Sequence, residues 1–264
     1  MSVSISACII TLNEEDKIEA CLKSLSFTDE IIIVDSGSTD KTLEIAEKYR
    51  ARVYIREFDN YVNQKNYCLS LAKNDWILSL DADEVVPIAL KKEILSMSSA
   101  FLEEYDGFSV PRLTYYLGKW IYHGGWYPNR QVRLFRKTRG KFSGLLVHEK
   151  VLLDGKTGSL QRPLHHYSYK NISDHLKYID RYSSLAAKEK FESGKSSGVI
   201  LSISKALWKF FHMYILRFGF LDGKVGLVIA ILGSYYNFLK YIKLYETCLN
   251  KKKNIEAGGN HAGK

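Results

Sequence analysis

Cysteine is scarce in this chain and nowhere paired. Cys8, Cys21, Cys68 and Cys248 stand far apart, with no CxxC and no Cys/His cluster. That excludes a disulfide framework or a structural zinc site, and it fits reduced thiols in a cytosolic compartment. The N-terminal MSVSISACIITLNEED has no basic lead-in and turns acidic early, so no secretory signal is expected. No internal repeat is present. Val225 to Leu239, an uncharged stretch, is too short for a comfortable transmembrane helix. Acids are rare in the last quarter: residues 200–253 carry nine Lys/Arg against Asp222 and Glu246, which is most of the net charge of +9. A basic surplus of this kind points to nucleic acid or an anionic membrane surface, and no nucleic-acid recognition motif accompanies it.

What is present suits a globular protein. The 264 residues are 46% hydrophobic and 25% charged, enough for one large domain, or for a domain with an appendage. Only the final KKKNIEAGGNHAGK lacks apolar periodicity, and residues 251–264 are expected to be a disordered tail.

Strand and helix patterns alternate over the first hundred residues. Val3–Ile10, IIIVD (31–35), Arg52–Ile55 and Trp76–Leu80 read as strands. Between them, Ile18/Cys21/Leu22/Leu25, Leu43/Ile45/Ala46/Tyr49 and residues 61–73 read as helices. Such alternation indicates βαβ units in a mostly parallel sheet, where ligands bind at the carboxyl ends of the strands. Three of those ends are polar: TLNEE, DSGSTD and DADE. From 105 to 165 the pattern shifts to short β pieces rich in aromatics and glycine, an antiparallel extension. Residues 171–192 form a further amphipathic helix, with Ile172, Leu176, Ile179 and Leu185 as its stripe, and SGKSSG (193–198) is a junction.

The acidic cluster in ILSLDADEVV poses a physical problem, because buried like charges need compensation. If the strand continues, Asp81 and Asp83 face one way, and Ala82 and Glu84 face the other. Two carboxylates on one face make a hard-oxygen half-site for Mg²⁺ or Mn²⁺ that phosphate oxygens and water would complete. By pattern alone, Asn13 serves equally as a helix cap or a ligand contact, and Asp40 reads as a cap.

ACIITLNEE, EIIIVDSGSTDKT, NQKNYCLSLAKNDWILSLDADE and LVHE together resemble the successive motifs of glycosyltransferase family 2, with bacterial lipopolysaccharide core β-glucosyltransferases the nearest group. The resemblance covers residues 5 to about 190. It implies a GT-A-type, Rossmann-like sheet with helices on both faces. It places Thr11, Asn13 and Glu14 near the base and ribose, Asp35 on the uracil and Lys65 near the diphosphate. Asp81 and Asp83 become the metal pair, with Asp83 the more direct ligand, and Glu149 the catalytic base. The neighbouring His148 reads as a structural imidazole. The chain departs from the family where it has Asp35-Ser36 for two acids, Lys65 for Arg, and His148-Glu149 for Glu-Asp. The Gln-x-x-Arg-Trp motif of processive synthases is absent, and QVRLFR (131–136) does not match it. A single sugar transfer is therefore implied.

The expected organisation is a catalytic domain over 1–192 (a nucleotide-sugar half, 1–104, and an acceptor half, 105–192), followed by a basic, aromatic helical region over 199–250. One helix there presents Ile203, Leu207, Phe210, Phe211, Tyr214 and Phe218, and a second presents Tyr235, Phe238, Leu239, Ile242 and Tyr245. Lysines flank both faces, which suits an anionic membrane surface or packing on another subunit. The function implied is inverting, metal-dependent transfer of a sugar, glucose foremost, from a UDP-sugar to a lipid-linked acceptor of the lipopolysaccharide inner core, at the cytoplasmic face of the bacterial inner membrane. Transfer to polyprenyl phosphate, a non-catalytic nucleotide-sugar scaffold, and nucleotidyl transfer are the competing readings.

Overall fold

The computed structural model describes residues 3–144 and 149–259. The chain forms two compact units, Met1–Tyr115 with Tyr127–Ser168, and Tyr116–Trp126 with Tyr169–Lys264.

In the first unit, β1 (Ile5–Thr11), β2 (Glu30–Asp35), β3 (Arg52–Ile55) and β4 (Trp76–Asp81) pair in parallel in the order β3-β2-β1-β4. Helices α1 (Ile18–Ser24), α2 (Thr42–Lys48) and α3 (Tyr61–Ser70) connect them. After β5 (Glu84–Val85), α4 (Ile88–Leu95) and α5 (Ser99–Glu103), the chain adds β6 (Gly107–Tyr116), β7 (Lys119–Ile121) and β8 (Asn129–Arg136). Strand β8 lies antiparallel between β4 and β6. A separate ribbon, β9 (Gly140–Ser143) with β10 (Lys150–Leu153), precedes β11 (Thr157–Ser159) and β12 (Leu164–His166), which both run parallel to β6. The mostly parallel sheet and the antiparallel extension after residue 105 agree with the sequence.

Both faces of the central strands are apolar because both are covered. Ala7, Ile9, Ile33, Trp76, Leu78 and Leu80 pack with α1, α2 and α4 on one side. Cys8, Ile32, Val34 and Ile77 pack with α3 and Phe142 on the other. Helix α1 starts later than expected, with Lys17 at its N-cap. Asn13 is not its cap. It adopts a left-handed φ of 54°, and its side chain is taken up by the next loop.

The second unit holds β7 and a run of helices: α6 (Ile172–Glu192), α7 (Val199–Phe211), a π turn (His212–Leu216), a 3₁₀ turn (Gly219–Asp222) and α8 (Gly223–Gly259). Helix α6 buries His175, Ile179, Ser183, Ala186 and Ala187, while Ile172 and Leu176 stay exposed. Its inner face is thus rotated from the expected stripe, because small residues allow α8 to approach closely. Helix α8 takes in residues 251–259, where Lys, Glu and Ala favour helix. By length and composition, Val199–Leu216 and Gly219–Lys251 are each apolar enough to cross a membrane. Single lysines interrupt the apolar runs in the sequence without shortening the helices.

Candidate active site

Sheet register brings the three polar strand ends together. Thr11 pairs with Asp35 and Ile10 with Asp81, so β1, β2 and β4 deliver their last residues to one edge. The first two loops are then laced to each other. Asn13 Oδ1 accepts from Thr39 N at 2.8 Å, and Asn13 N donates to Ser38 Oγ at 2.8 Å. Glu14 N donates to Thr42 Oγ1 at 2.8 Å. Asp40 accepts from Thr42 N at 3.0 Å and from Glu15 N at 3.1 Å, tying the start of α2 to the first loop, while the N-cap position itself falls to Lys41 rather than to Asp40 as expected.

Asp35 is fully buried. Its Oδ1 accepts from Gly37 N at 2.8 Å and Ser38 N at 2.7 Å, and its Oδ2 accepts from Ser38 Oγ. The bend needs Gly37 at φ 95°, where a side chain would be strained. Asp35 therefore shapes the loop with its own oxygens. Thr11 differs: its Oγ1 is buried and has no hydrogen-bond partner among the described residues.

The DADE segment is not a continued strand. Strand β4 ends at Asp81, Ala82 and Asp83 form a turn, and β5 begins at Glu84. The strand alternation that would set Asp81 and Asp83 on one face does not apply across the turn. Asp81 Oδ1 lies 2.8 Å from Lys65 Nζ, and Oδ2 lies 2.7 Å from Arg133 Nη2. The same Arg133 nitrogen is 2.6 Å from Glu84 Oε1, which Arg112 also approaches at 3.5 Å. Glu84 Oε2 accepts from Asp81 N at 3.0 Å. Burial alone would raise the Asp81 carboxyl, yet Arg133 and Lys65 outweigh it and hold the group well below the usual range. Burial alone would lower Lys65, yet Asp81 and Glu149 leave it above its ordinary value. Arg133 is raised in the same way, by Asp81 and Glu84 against burial. This is how the fold tolerates the acidic cluster.

Asp83 is the carboxylate left over. Its Oδ1 is buried without a hydrogen-bond partner. Its Oδ2 lies 3.4 Å from His166 Nε2 and 3.9 Å from Lys17 Nζ. Antiparallel pairing of β12 with β5 sets His166 opposite Glu84, and Tyr167 N donates to Asp83 O at 2.9 Å. His166 Nδ1 lies 3.2 Å from Thr114 Oγ1. With its proton on Nδ1, the ring leaves Nε2 free to ligate.

These observations test the fit of a divalent cation. An orphaned carboxylate oxygen beside an imidazole is an oxygen/nitrogen donor pair suited to Mn²⁺ or Mg²⁺. Asp81 has both oxygens engaged by cations, so Asp83 with His166 fits better than the Asp81/Asp83 pair. Among the described residues no group of three His, Cys, Asp or Glu side chains is placed to hold an ion. Substrate phosphates and water would complete the shell.

Glu149 follows the undescribed segment 145–148, in which His148 lies. Its Oε1 is 3.2 Å from Lys65 Nζ. One buried ammonium thus links the DADE turn to the expected base. Three side chains that the structure brings to these acids escape sequence reasoning: Arg133, His166 and Lys17. Arg133 carried a signal, since a cation set in Val132-Arg133-Leu134-Phe135 requires a buried acid partner.

A family model, Glycosyl transferase family 2, matches residues 6–152. The chain belongs to glycosyl transferase family 2. It is a glycosyltransferase with the GT-A-like architecture expected. An uncharacterized glycosyltransferase of Rickettsia conorii is 32% identical over 274 residues, covering 97% of this chain and 95% of the relative. The lipopolysaccharide core biosynthesis glycosyltransferase LpsC of Rhizobium meliloti is 30% identical over 265 residues, covering 97% and 98%. Among solved structures, S. aureus TarS 1-349 in complex with UDP-GlcNAc aligns over 96% of this chain and 92% of that one, at 16% identity. Its TM-score of 0.47 is too low to carry an inference.

Proposed function

We propose that this glycosyltransferase moves a single sugar, glucose, from a UDP-sugar to a lipid-linked acceptor of the lipopolysaccharide inner core, with inversion at the anomeric carbon. The observation that carries the reading is the buried Asp83 Oδ1, unpartnered among the described residues, beside His166, in the same acidic segment as Asp81, which Lys65 links to Glu149. Full-length similarity to LpsC supports the choice of acceptor.

In this reading the laced loops of Thr11, Asn13 and Glu14 receive the nucleoside, with Asp35 holding their shape. Lys65 sets a positive charge at the diphosphate. Asp83 and His166 hold a divalent cation, which supplies Lewis-acid stabilisation of the departing UDP when bound. Glu149 accepts the acceptor hydroxyl proton. That oxygen bonds to the anomeric carbon as the bond to the diphosphate breaks, and its electron pair leaves with UDP. A single displacement turns an α-linked donor into a β-linkage. The enzyme works at the cytoplasmic face of the inner membrane, where the acceptor lipid is anchored.

The test is UDP release from a panel of UDP-sugars with lipid A–core acceptors. UDP-glucose turnover that requires the acceptor supports the reading. Pyrophosphate release in place of UDP contradicts it.

A further inference from the structure

Helix α7 is packed inside out. Ser202 is fully buried, while Ile200 is 82%, Leu207 66% and Trp208 58% exposed. Its contact with α8 is polar and small: Ser234 Oγ donates to Ala206 O at 2.8 Å, and Asn237 Nδ2 donates to Lys205 O at 3.1 Å. A Cβ on Gly233 would meet Met213 Sδ at 2.6 Å, and one on Gly226 would meet Gly219 O. Close approach through small residues, with apolar side chains facing out, is the packing logic of helices in lipid. On α8, Leu227, Ile231 and Tyr235 continue the exposed apolar surface, and Phe218, Phe220 and Leu221 do so at the turn.

Four lysines flank this surface. Lys190 Nζ and Lys240 Nζ stand 5.4 Å and 5.0 Å from the centre of the Tyr241 ring, and Lys240 also lies 5.4 Å from that of Tyr236. On α7, Lys205 and Lys209 are one turn apart, beside the exposed face. After burial, the fields of Lys190, Lys209 and Lys205 push the Lys240 ammonium down to about 8. Of the acids nearby, Asp180 pairs with Lys243 at 2.6 Å and Glu192 with Lys188 at 3.9 Å, and Glu189 faces Tyr236, adding to burial in raising its hydroxyl, without pairing with any of the four lysines. Like charges with no ion pair among the described residues, beside an apolar face, call for an external anion.

The hairpin is also held at both ends. At its tip, Asp222 accepts from His123 N at 2.8 Å and Lys119 Nζ donates to Asp222 O at 2.9 Å. Gly124 N donates to Arg217 O at 2.8 Å. That segment, 116–126, carries β7, buries Tyr116 and Ile121 against Met213, Ile229 and Ala230, and lies in the chain between β6 and β8. At the other end, Lys243 binds the Asp180 side chain and backbone of α6. A hairpin that crossed a bilayer would have to carry the buried Asp222 carboxylate, with His123 and Lys119, across at its tip. Both helices are long enough to span, but these polar groups at the tip disfavour a crossing.

We infer that the α7–α8 hairpin lies flat in one leaflet of an anionic membrane, and that Lys190, Lys205, Lys209 and Lys240 form a binding site for phospholipid phosphate at its edge. The inference deepens the membrane-acceptor reading and rests on it, but its test needs no sugar transfer. Full-length protein is floated with phosphatidylglycerol-containing or pure phosphatidylcholine vesicles. Each lysine near an anionic surface is worth about fivefold in binding, so changing all four to Gln should weaken it about a hundredfold or more. Inorganic phosphate in millimolar excess should compete weakly, since it offers no apolar surface. Trp208 fluorescence, with W208F as control, should be quenched by lipids brominated near the headgroup. Equal binding to both vesicle types, or indifference to the lysine changes, overturns the site. Quenching strongest at the bilayer centre overturns the flat orientation. A stable dimer that never floats shows that a second copy covers the face. UDP release with a detergent-dispersed acceptor, measured separately, keeps failure of this inference distinct from failure of the catalytic reading.

Discussion

Replacing Arg133 with Met removes the guanidinium that ion-pairs with both Asp81 and Glu84. Arg133 Nη2 stands 2.7 Å from one acid and 2.6 Å from the other, and Glu84 is fully buried. Asp81 would keep Lys65 at 2.8 Å, but Glu84 would keep only Arg112 at 3.5 Å and its bond from Asp81 N. Removing one partner of a buried pair costs about 3–5 kcal/mol because a desolvated charge is stranded. Against a total stability of about 5–15 kcal/mol, that is a large share. Urea unfolding at pH 7, followed by circular dichroism, measures it. The double variant Arg133→Met/Glu84→Gln should regain much of the loss, since it removes the stranded charge, giving a coupling energy of about 1–3 kcal/mol. A single variant within about 0.5 kcal/mol of wild type would refute the reasoning. So would a double variant less stable than the sum of the two single changes.

Asp83→Asn and His166→Ala should each weaken Mn²⁺ binding in the presence of UDP by about 10–100-fold or more, read by calorimetry. Unchanged affinity in both would remove them as ligands. Glu149→Gln should bind UDP as wild type does and lose about 10²–10⁴-fold in transfer rate; transfer at the wild-type rate would assign the base elsewhere. Asp81 has a folded-state value well below its ordinary 3.8. Its contribution to stability is therefore complete above about pH 4 and is lost as the pH falls through the folded value. Asp81→Asn should flatten the acid limb of a stability–pH curve, and an unaltered limb would argue against the pairing.

The sheet could be read from its strands because each central strand is apolar on both faces and ends in a polar loop. Parallel register then does the rest, since Thr11, Asp35 and Asp81 are set side by side by pairing alone. The acidic turn was legible as a site but not in its division of labour. Strand alternation sets Asp81 and Asp83 on one face, but a turn at Ala82–Asp83 breaks that alternation. The cations that saturate Asp81 come from α3 and β8, far away in sequence, and no local pattern announces that pairing. His166 was hidden for the same reason, reaching Asp83 only through the β12–β5 ladder. In the C-terminal helices, periodicity found the apolar residues correctly. It could not show that small residues such as Ser202, Gly226 and Ser234 share the buried faces with Met213, Ile229 and Leu244, while Ile200, Leu207 and Trp208 stay outside.

The most direct test of the central claim is UDP release from UDP-glucose by the full-length enzyme with a lipid A–core acceptor, before and after EDTA. The account predicts acceptor-dependent release that EDTA abolishes and added Mn²⁺ or Mg²⁺ restores. Acceptor-dependent turnover that persists in EDTA, or no UDP release with UDP-glucose or any other UDP-sugar, would contradict it.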